Sequence, residues 1–360
     1  MKTDRASIPV CARSGKCQRV LIFNFFGGIL SRGIPSYVDN LCLALEGCGI
    51  GAKQFRCPAI FRGLPTSLLN VLFVLTEQLV MPVLGIGFDR VIHASNSASI
   101  IGCLTSRTAI VVHDFIPINH RNRALPARYI RATQRVHSAL GRDVIYISRA
   151  TERIGKKSRM FPKSRTFYFP NAFYRFLEKR TELSLERQQY VLLCSGWGKN
   201  KDLEGALDLY FRSELYKVRE LQILGLAGRN AIVENFRKRS LISPERITVH
   251  PELSDEDVIK AYQRAAWIWV HSKKEGYGRS IAEARFCGGS VVATSIAPFR
   301  EQRDDFTFLY SDLEGFKEAV RDCEDSKAHA SYRKPFEHDL LEAEIRRFVE
   351  TERAKAYQDR

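Results

Sequence analysis

Short apolar runs recur along the chain without the alternation of a half-exposed strand. They fall at residues 20–24, 109–112, 144–147, 190–194, 221–226, 247–249, 265–270, 291–293 and 306–310. A strand buried on both faces has this pattern, and such strands belong to parallel sheets covered by helices. Shorter runs at 52–55, 90–93 and 166–169 predict further strands. Between the runs the period turns helical. In residues 35–46, Tyr37, Val38, Leu41, Cys42 and Leu45 share one face, and in the helix after 202, Leu203, Ala206, Leu207 and Tyr210 do so. Helix starts are legible at Ser148-Arg-Ala-Thr151 and at Leu253-Ser-Asp-Glu-Asp257, where acids occupy the first turn. Helices are also expected over 313–323 and 336–352. Strands alternating with helices predict an α/β protein. The polar stretch 177–189 lacks periodicity and reads as a linker between two halves.

The densest chemistry lies in residues 271–301, between the strands 265–270 and 291–293. Gly276 and Gly278 allow a tight backbone path after the first strand. A helix then runs from about Arg279, with Ile281, Ala282, Ala284 and Phe286 to pack, and Gly288 and Gly289 end it. Glu275 in the loop and Glu283 on the helix would stand roughly 12 Å apart if all were helical, at ~1.5 Å per residue. A glycosidase pair needs about 5–10 Å, so an acid/base hydrolase is not expected. Loop amides and a helix N-terminus suit an anionic ligand. The two glutamates would take hydroxyls at separate places on it, and a nucleotide sugar has that layout.

Two places in the first half carry similar chemistry. The strand 20–24 runs into Phe25-Phe26-Gly27-Gly28, a glycine turn before a helix that can bring amides to a phosphate. Arg32 is a candidate anion ligand there. The strand 109–112 runs into His113-Asp114, at the rim where α/β sheets bind ligands.

Glu275-Gly-Tyr-Gly278, Glu283-Ala284 and Gly288-Gly-Ser-Val-Val-Ala293 together resemble the signature of retaining glycosyltransferases of family 4, the group 1 transferases. Ala297-Pro-Phe-Arg-Glu301, His113-Asp-x-x-Pro117 and Phe169-Pro170-Asn171 resemble further segments of that family. The resemblance implies a GT-B fold: two Rossmann-like domains facing each other across a cleft, with a C-terminal helix returning toward the first. The expected domains are an acceptor-binding one at 1–180, a nucleotide-sugar-binding one at 181–330 and the helix at 331–360. It also implies roles. Glu275 would touch the donor sugar and Glu283 the donor ribose. A lysine at the start of the helix after 202 would bind the diphosphate, Lys201 by register with Lys199 as the fallback. Gly276, Tyr277, Gly278, Gly27 and Gly28 would line the donor site, with His113 and Asp114 joining Glu275 in catalysis. Departures from the family pattern are the lack of an arginine between 190 and 209, and Arg279, Arg285 and Ser290 in place of apolar or small residues or proline.

Composition changes this picture at a few points. The formal charge is +16, and it is one-sided. Residues 1–185 hold 27 Lys/Arg against 10 Asp/Glu, whereas 186–360 hold 29 against 30. Thirteen of the basic residues lie between Arg121 and Arg165, with only Asp143 and Glu152 among them, and Arg128, Arg131 and Arg135 share a helix face. An anionic partner for the first half follows, and an anionic membrane surface carrying a lipid-linked saccharide is the one expected. Residues 68–88 are the most hydrophobic window, interrupted by Asn70, Glu77, Gln78 and Pro82, and predict a buried or interfacial helix rather than a membrane span. Residues 1–18 show no secretory h-region. Nine cysteines occur without a Cys-x-x-Cys pair or zinc spacing, and Cys42, Cys194 and Cys287 sit in apolar patterns as core residues. A reducing, cytoplasmic setting, peripheral at the inner membrane face, is expected. No metal or other cofactor is expected, since no Asp-x-Asp stands in a suitable loop. The whole predicts transfer of a hexose from a UDP- or GDP-sugar to a saccharide or lipid-linked acceptor, for surface polysaccharide or lipopolysaccharide. Two alternatives remain at this level: other sugar-nucleotide chemistry such as epimerisation, and a basic nucleic-acid-binding protein. The second meets no nucleic-acid-binding motif in the chain.

Overall fold

The apolar runs build two parallel sheets, each in its own unit. The computed structural model describes residues 18–29, 33–105, 107–116, 124–174, 186–196, 198–226, 230–240, 243–250, 252–326 and 337–358. The chain divides into one compact unit of residues 1–172 with 336–360 and a second of residues 173–335.

In the first unit, β1 (Arg19–Phe23), β2 (Gly51–Phe55), β3 (Arg90–His93), β4 (Thr108–Val112), β5 (Asp143–Tyr146) and β6 (Thr166–Tyr168) form a sheet ordered β2-β1-β3-β4-β5-β6. Every pairing is parallel. The strands β3, β4 and β5 are buried at every position, the polar ends Arg90, His93 and Asp143 included, whereas the edge strand β2 is mostly half-exposed. The helices are α1 (Ile34–Gly47), α2 (Thr66–Gly85), α3 (Leu125–Ala139) and α4 (Arg149–Lys157). Through Thr76–Val80, α2 loosens into a π-helical stretch. The Ser148 hydroxyl caps α4 by accepting from the Thr151 amide at 3.0 Å.

The second unit orders its sheet β12-β11-β10-β7-β8-β9. Its strands are β7 (Tyr190–Cys194), β8 (Glu220–Leu224), β9 (Ile247–Val249), β10 (Trp267–Val270), β11 (Val291–Thr294) and β12 (Thr307–Tyr310). The helices are α5 (Leu203–Arg212), α6 (Ala231–Ser240), α7 (Asp255–Arg264), α8 (Arg279–Phe286), α9 (Ala297–Glu301) and α10 (Leu313–Asp325). Val191, Leu193, Trp267 and Trp269 enter one core layer, and Leu192, Cys194, Ile268 and Val270 the other. Both sheet faces are therefore covered, so alternation never appears in these strands.

The last helix, α11 (Glu337–Gln358), belongs to the first unit. It returns there because Phe348 fills a slot between Phe167 and Phe169, with ring centroids at 4.9 and 5.6 Å. Under Phe348 lies a buried arginine. Arg90 donates to Asp143 at 2.8 Å and to the Phe348 carbonyl at 3.0 Å, and its guanidinium stacks 4.4 Å from the Phe348 ring. Arg165 brackets Asp143 from the other side at 2.8 and 2.9 Å. A charge this deep persists only when paired and hydrogen-bonded, so the returning helix and the buried arginine depend on each other. Two Rossmann-like sheets with a returning C-terminal helix agree with the expected GT-B architecture.

One expectation divides here. Residues 68–88 were open to a buried or an interfacial helix, and α2 is only 22% buried over its apolar window. It lies on the unit's surface. Cys42, Cys194 and Cys287 are buried, as expected of core residues, and burial pushes the Cys42 thiol up to about 11 and the Cys194 thiol to about 12.

Candidate functional site

Sheet order locates the site in the second unit. From β7 the chain steps outward through β8 and β9, then returns to lay β10 on the other side of β7. Loops leaving the C-terminal ends of β7 and β10 therefore diverge and leave a crevice, the place where open α/β sheets bind ligands. Those loops are the Ser195–Asp202 segment before α5 and the His271–Gly278 segment before α8.

The two loops are stitched to each other. The Lys273 amide donates to the Asn200 carbonyl at 2.7 Å, and the Asn200 side-chain amide donates to the Lys274 carbonyl at 3.2 Å. Lys201 Nζ donates to Glu275 Oε1 at 2.5 Å, and the Ser272 hydroxyl donates to the same oxygen at 2.9 Å. The lysine and the loop glutamate picked out in the sequence are thus brought together and neutralise each other. Lys199 is exposed in the turn preceding Lys201.

Asp202 stands at the N-cap of α5 but does not cap it. Its backbone is left-handed, at φ 46°, and its carboxylate turns away to accept from Lys273 at 2.8 Å and from His271 Nε2 at 3.4 Å. Gly205 leaves the room, since a Cβ there would come within 2.4 Å of that carboxylate. Burial alone would raise the Asp202 pKa, yet the Lys273 and His271 contacts hold it below the usual value. Burial lowers the His271 pKa against the pull of Asp202, so the ring is neutral at pH 7. With Nε2–H donating to the carboxylate, Nδ1 accepts from the Tyr310 hydroxyl at 2.5 Å, and that oxygen accepts from Trp269 Nε1 at 2.8 Å. This chain from the strand ends fixes Asp202, and through it Lys273.

Glu283 is held from beneath. Its Oε2 accepts from the Tyr262 hydroxyl at 3.1 Å and its Oε1 from Arg279 at 3.2 Å, while the Cys194 thiol donates to the Tyr262 oxygen at 3.3 Å. Arg279, a departure from the family pattern, is thereby the glutamate's own counter-ion, and it stacks 5.5 Å from the Phe173 ring. The glycine loop between the glutamates is clamped by Gln302, whose side-chain amide donates to the Tyr277 carbonyl. Gly278 is left-handed at φ 92°, and a Cβ there would meet the Phe299 ring at 2.5 Å. Gly276 and Tyr277 are buried in the same loop. The crevice thus alternates lysine and arginine with carboxylate, every carboxylate already paired, and its backbone is locked by buried side chains. Such a surface can exchange its internal ion pairs for the phosphates and hydroxyls of a ligand.

Sequence reasoning missed Asp202, His271, Tyr262, Tyr310 and Gln302. A histidine directly after a buried strand was the one available signal. The others come from separate elements that only the sheet order brings together.

The candidate residues of the first unit lie on its own sheet rim. Gly27 and Gly28 fall in a single 3-10 turn after β1, and a Cβ at Gly27 would strike the Asn24 side chain at 2.5 Å. His113 is buried at the end of β4. Its amide donates to Asn96 Oδ1 at 2.6 Å, its Nε2 to the Ala94 carbonyl at 2.8 Å, and its ring meets Tyr37 edge-on at 5.1 Å. Asp114 accepts from the Ile116 amide at 2.8 Å in a local turn. Arg32 and Pro117 lie outside the described residues. Among the described residues no group of three or more His, Cys, Asp or Glu is placed to hold a metal ion.

Residues 176–334 match the family model described as glycosyl transferases group 1. No curated protein sequence shows significant similarity to the chain. Solved structures do. Sucrose-phosphate synthase from Thermosynechococcus elongatus superimposes with a TM-score of 0.65 at 14% identity, over 95% of this chain and 98% of that one. Anabaena Alr3699/HepE in complex with UDP and glucose gives 0.58 at 17% identity, over 95% and 99%. The lipopolysaccharide outer core galactosyltransferase WaaB gives 0.57 at 14%, over 92% and 95%. At these identities the likeness establishes the fold, which is GT-B.

Proposed function

We propose, from the match of residues 176–334 to the model described as glycosyl transferases group 1, that the chain moves a hexose from a UDP- or GDP-sugar to a saccharide or lipid-linked saccharide with retention at the anomeric carbon. The observation that carries this reading is the Lys201–Glu275 pair at the crevice between β7 and β10. When a donor binds, Lys201 turns to the diphosphate, and Glu275 is released to accept a hydroxyl of the sugar. Glu283, steadied by Tyr262 and Arg279, takes the ribose hydroxyls. As the bond from C1 to the diphosphate breaks, negative charge grows on the leaving oxygen, where Lys201 and the loop amides offset it. The acceptor hydroxyl attacks C1 from the face the diphosphate leaves, and its proton passes to the departing phosphate. His113 and Asp114 shape the rim of the first unit in this scheme. Lys201 and the loop amides supply the positive charge in this scheme, so the proposal calls for no metal or cofactor.

Two fold neighbours support parts of this reading: the HepE complex contains UDP and glucose, and WaaB is a lipopolysaccharide outer core galactosyltransferase. With the basic first half, they favour a protein of the cytoplasm, peripheral at the inner membrane face, whose product feeds surface polysaccharide or lipopolysaccharide. The test is incubation with UDP-glucose, UDP-galactose and GDP-mannose and a panel of saccharide acceptors, following nucleoside diphosphate release and the anomeric coupling of the product by NMR. Retained configuration is expected. An inverted product overturns the stereochemistry, and donor isomerisation without transfer overturns the activity.

A further inference from the structure

Helix α2 has two apolar faces and only one of them is used. Leu69, Phe73, Met81 and Gly85 are buried toward the sheet. On the opposite side Leu68, Val71, Leu75, Leu79, Val83 and Ile86 follow one another at helical spacing, and all are exposed, Val83 by 65% and Ile86 by 74%. Ile101 and Leu104 extend the surface beyond the end of the helix, Leu104 exposed by 71%. A monomer rarely shows an apolar strip this long without a use for it.

Arginine borders the strip. Between Arg56 and Arg142 the chain holds ten arginines and three acids. Of the three acids Glu77 is fully buried and Asp114 is half-buried in its turn, so Asp89, exposed and accepting from the Arg19 amide at 2.8 Å, is the one acid of this stretch that faces outward. Arg107 donates to the carbonyls of Ile86 and Phe88, both at 3.4 Å, and Arg142 to those of Cys103 and Leu104, at 2.6 and 3.4 Å. These bonds pin two guanidinium groups directly beside the exposed Ile86 and Leu104. Between the end of α2 and the turn at Gly102–Leu104 opens a cavity of about 610 Å³, lined by Met81, Pro82, Ile86, Val91, Ile101 and Leu104. Arg107 stands at the same cavity.

The helix is long and apolar enough to cross a bilayer, at 20 residues with mean hydropathy 1.7. Its middle is tied to the sheet, however. Glu77 accepts from His93 Nδ1 at 3.1 Å, from the Ser97 hydroxyl at 2.9 Å and from the Tyr129 hydroxyl, and Gln78 bonds Tyr129 and the Ile100 amide. Crossing would strip all of these from a buried carboxylate, at a cost no lipid contact returns.

We propose that the exposed face of α2, with Ile101 and Leu104, lies in the plane of an anionic lipid leaflet, its arginine border on the phosphates and the adjoining cavity open to an acyl chain. Charge complementarity selects this occupant: a second copy would bring the same arginines against these ones. The inference names the surface behind the peripheral location proposed above, and it rests on the first unit alone, so it can fail while the donor-site reading stands.

The test uses the full chain with phosphatidylglycerol-containing and phosphatidylcholine-only vesicles at low and high salt. Preference for the anionic vesicles, lost at high salt, is expected. The doubly exposed variant L79E/V83E should bind them at least about tenfold more weakly, and Arg107→Gln several-fold more weakly. UDP affinity, which reports the second unit, and the thermal midpoint should be unchanged in both. Equal binding to both vesicles, or full binding by L79E/V83E, overturns the proposal. So does a dimer in light scattering that L79E/V83E converts to monomer without any vesicle binding, which would make the face an interface between copies. Protein released from membranes only by detergent would overturn the in-plane placement.

Discussion

Replacing Glu275 by glutamine should tighten the binding of UDP while it slows sugar transfer. In the crevice Lys201 Nζ lies 2.5 Å from Glu275 Oε1, with the lysine side chain 28% and the glutamate 14% exposed. A diphosphate must take Lys201 away from that carboxylate. An exposed pair is worth ~0–1 kcal/mol and a buried charge-assisted bond ~1.5–3 kcal/mol, so this partly screened pair costs the ligand about 1–2 kcal/mol. Glutamine keeps the shape and an acceptor oxygen but removes the charge, which roughly halves the bond. The gain for UDP is then about 1 kcal/mol, or roughly fivefold in Kd. Uridine, which has no phosphate, should bind Glu275→Gln and the native chain alike. Titration calorimetry with UDP and uridine reads both numbers. UDP that binds the folded variant equally or less tightly would show that Lys201 is not held in competition, and the argument from the pair would fall.

Other substitutions separate the remaining roles. Lys201→Met should weaken UDP by roughly 10- to 100-fold, from a charge-assisted bond of ~1.5–3 kcal/mol, with uridine unaffected; Lys199→Ala showing that pattern instead would move the role to the neighbouring lysine. Glu283→Ala should weaken uridine as well as UDP and cost about 1–3 kcal/mol of stability, because the buried Tyr262 hydroxyl loses its acceptor; calorimetry and urea unfolding check the two parts. Acid should destabilise the chain through His137, which is fully buried, bonded to the Asp143 carbonyl at 2.8 Å and lowered by burial from 6.5 to about 4. The unfolded chain takes up this proton first, so stability is complete above pH 6.5 and falls by ~3 kcal/mol as pH drops to about 4. Urea unfolding across that window should show a flatter slope in His137→Gln.

The strands were legible because burial on both faces leaves a mark that composition carries: β4, β7 and β10 are apolar at nearly every position. Helix starts were legible where a hydroxyl or carboxylate caps them, as Ser254 does for α7 by accepting from the Asp257 amide at 3.2 Å. Asp202 shows where this ends. It occupies a cap position in sequence, yet lysine and histidine from another loop draw its carboxylate away. Nothing local to Asp202 announces that, because the partner loop arrives through the order of strands. The position of Lys201 and Glu275 in the motif was legible, whereas their pairing with each other was not. Helix α2 was legible as apolar, but periodicity cannot say how many of its faces the rest of the chain will cover. Gly225 is similar: its φ of 92° and the Ser195 carbonyl 2.3 Å from a would-be Cβ are required by a loop packing that the local sequence does not display.

The most direct test of the central claim is saturation-transfer NMR of the full chain with UDP, GDP and ADP, repeated on Lys201→Met and Glu283→Ala. At least one nucleoside diphosphate should show transfer to its base and ribose protons, reduced in both variants, with the ribose signals most affected in Glu283→Ala. If none of the three binds, or if one binds and neither variant changes it, the crevice between β7 and β10 is not a nucleotide-sugar site.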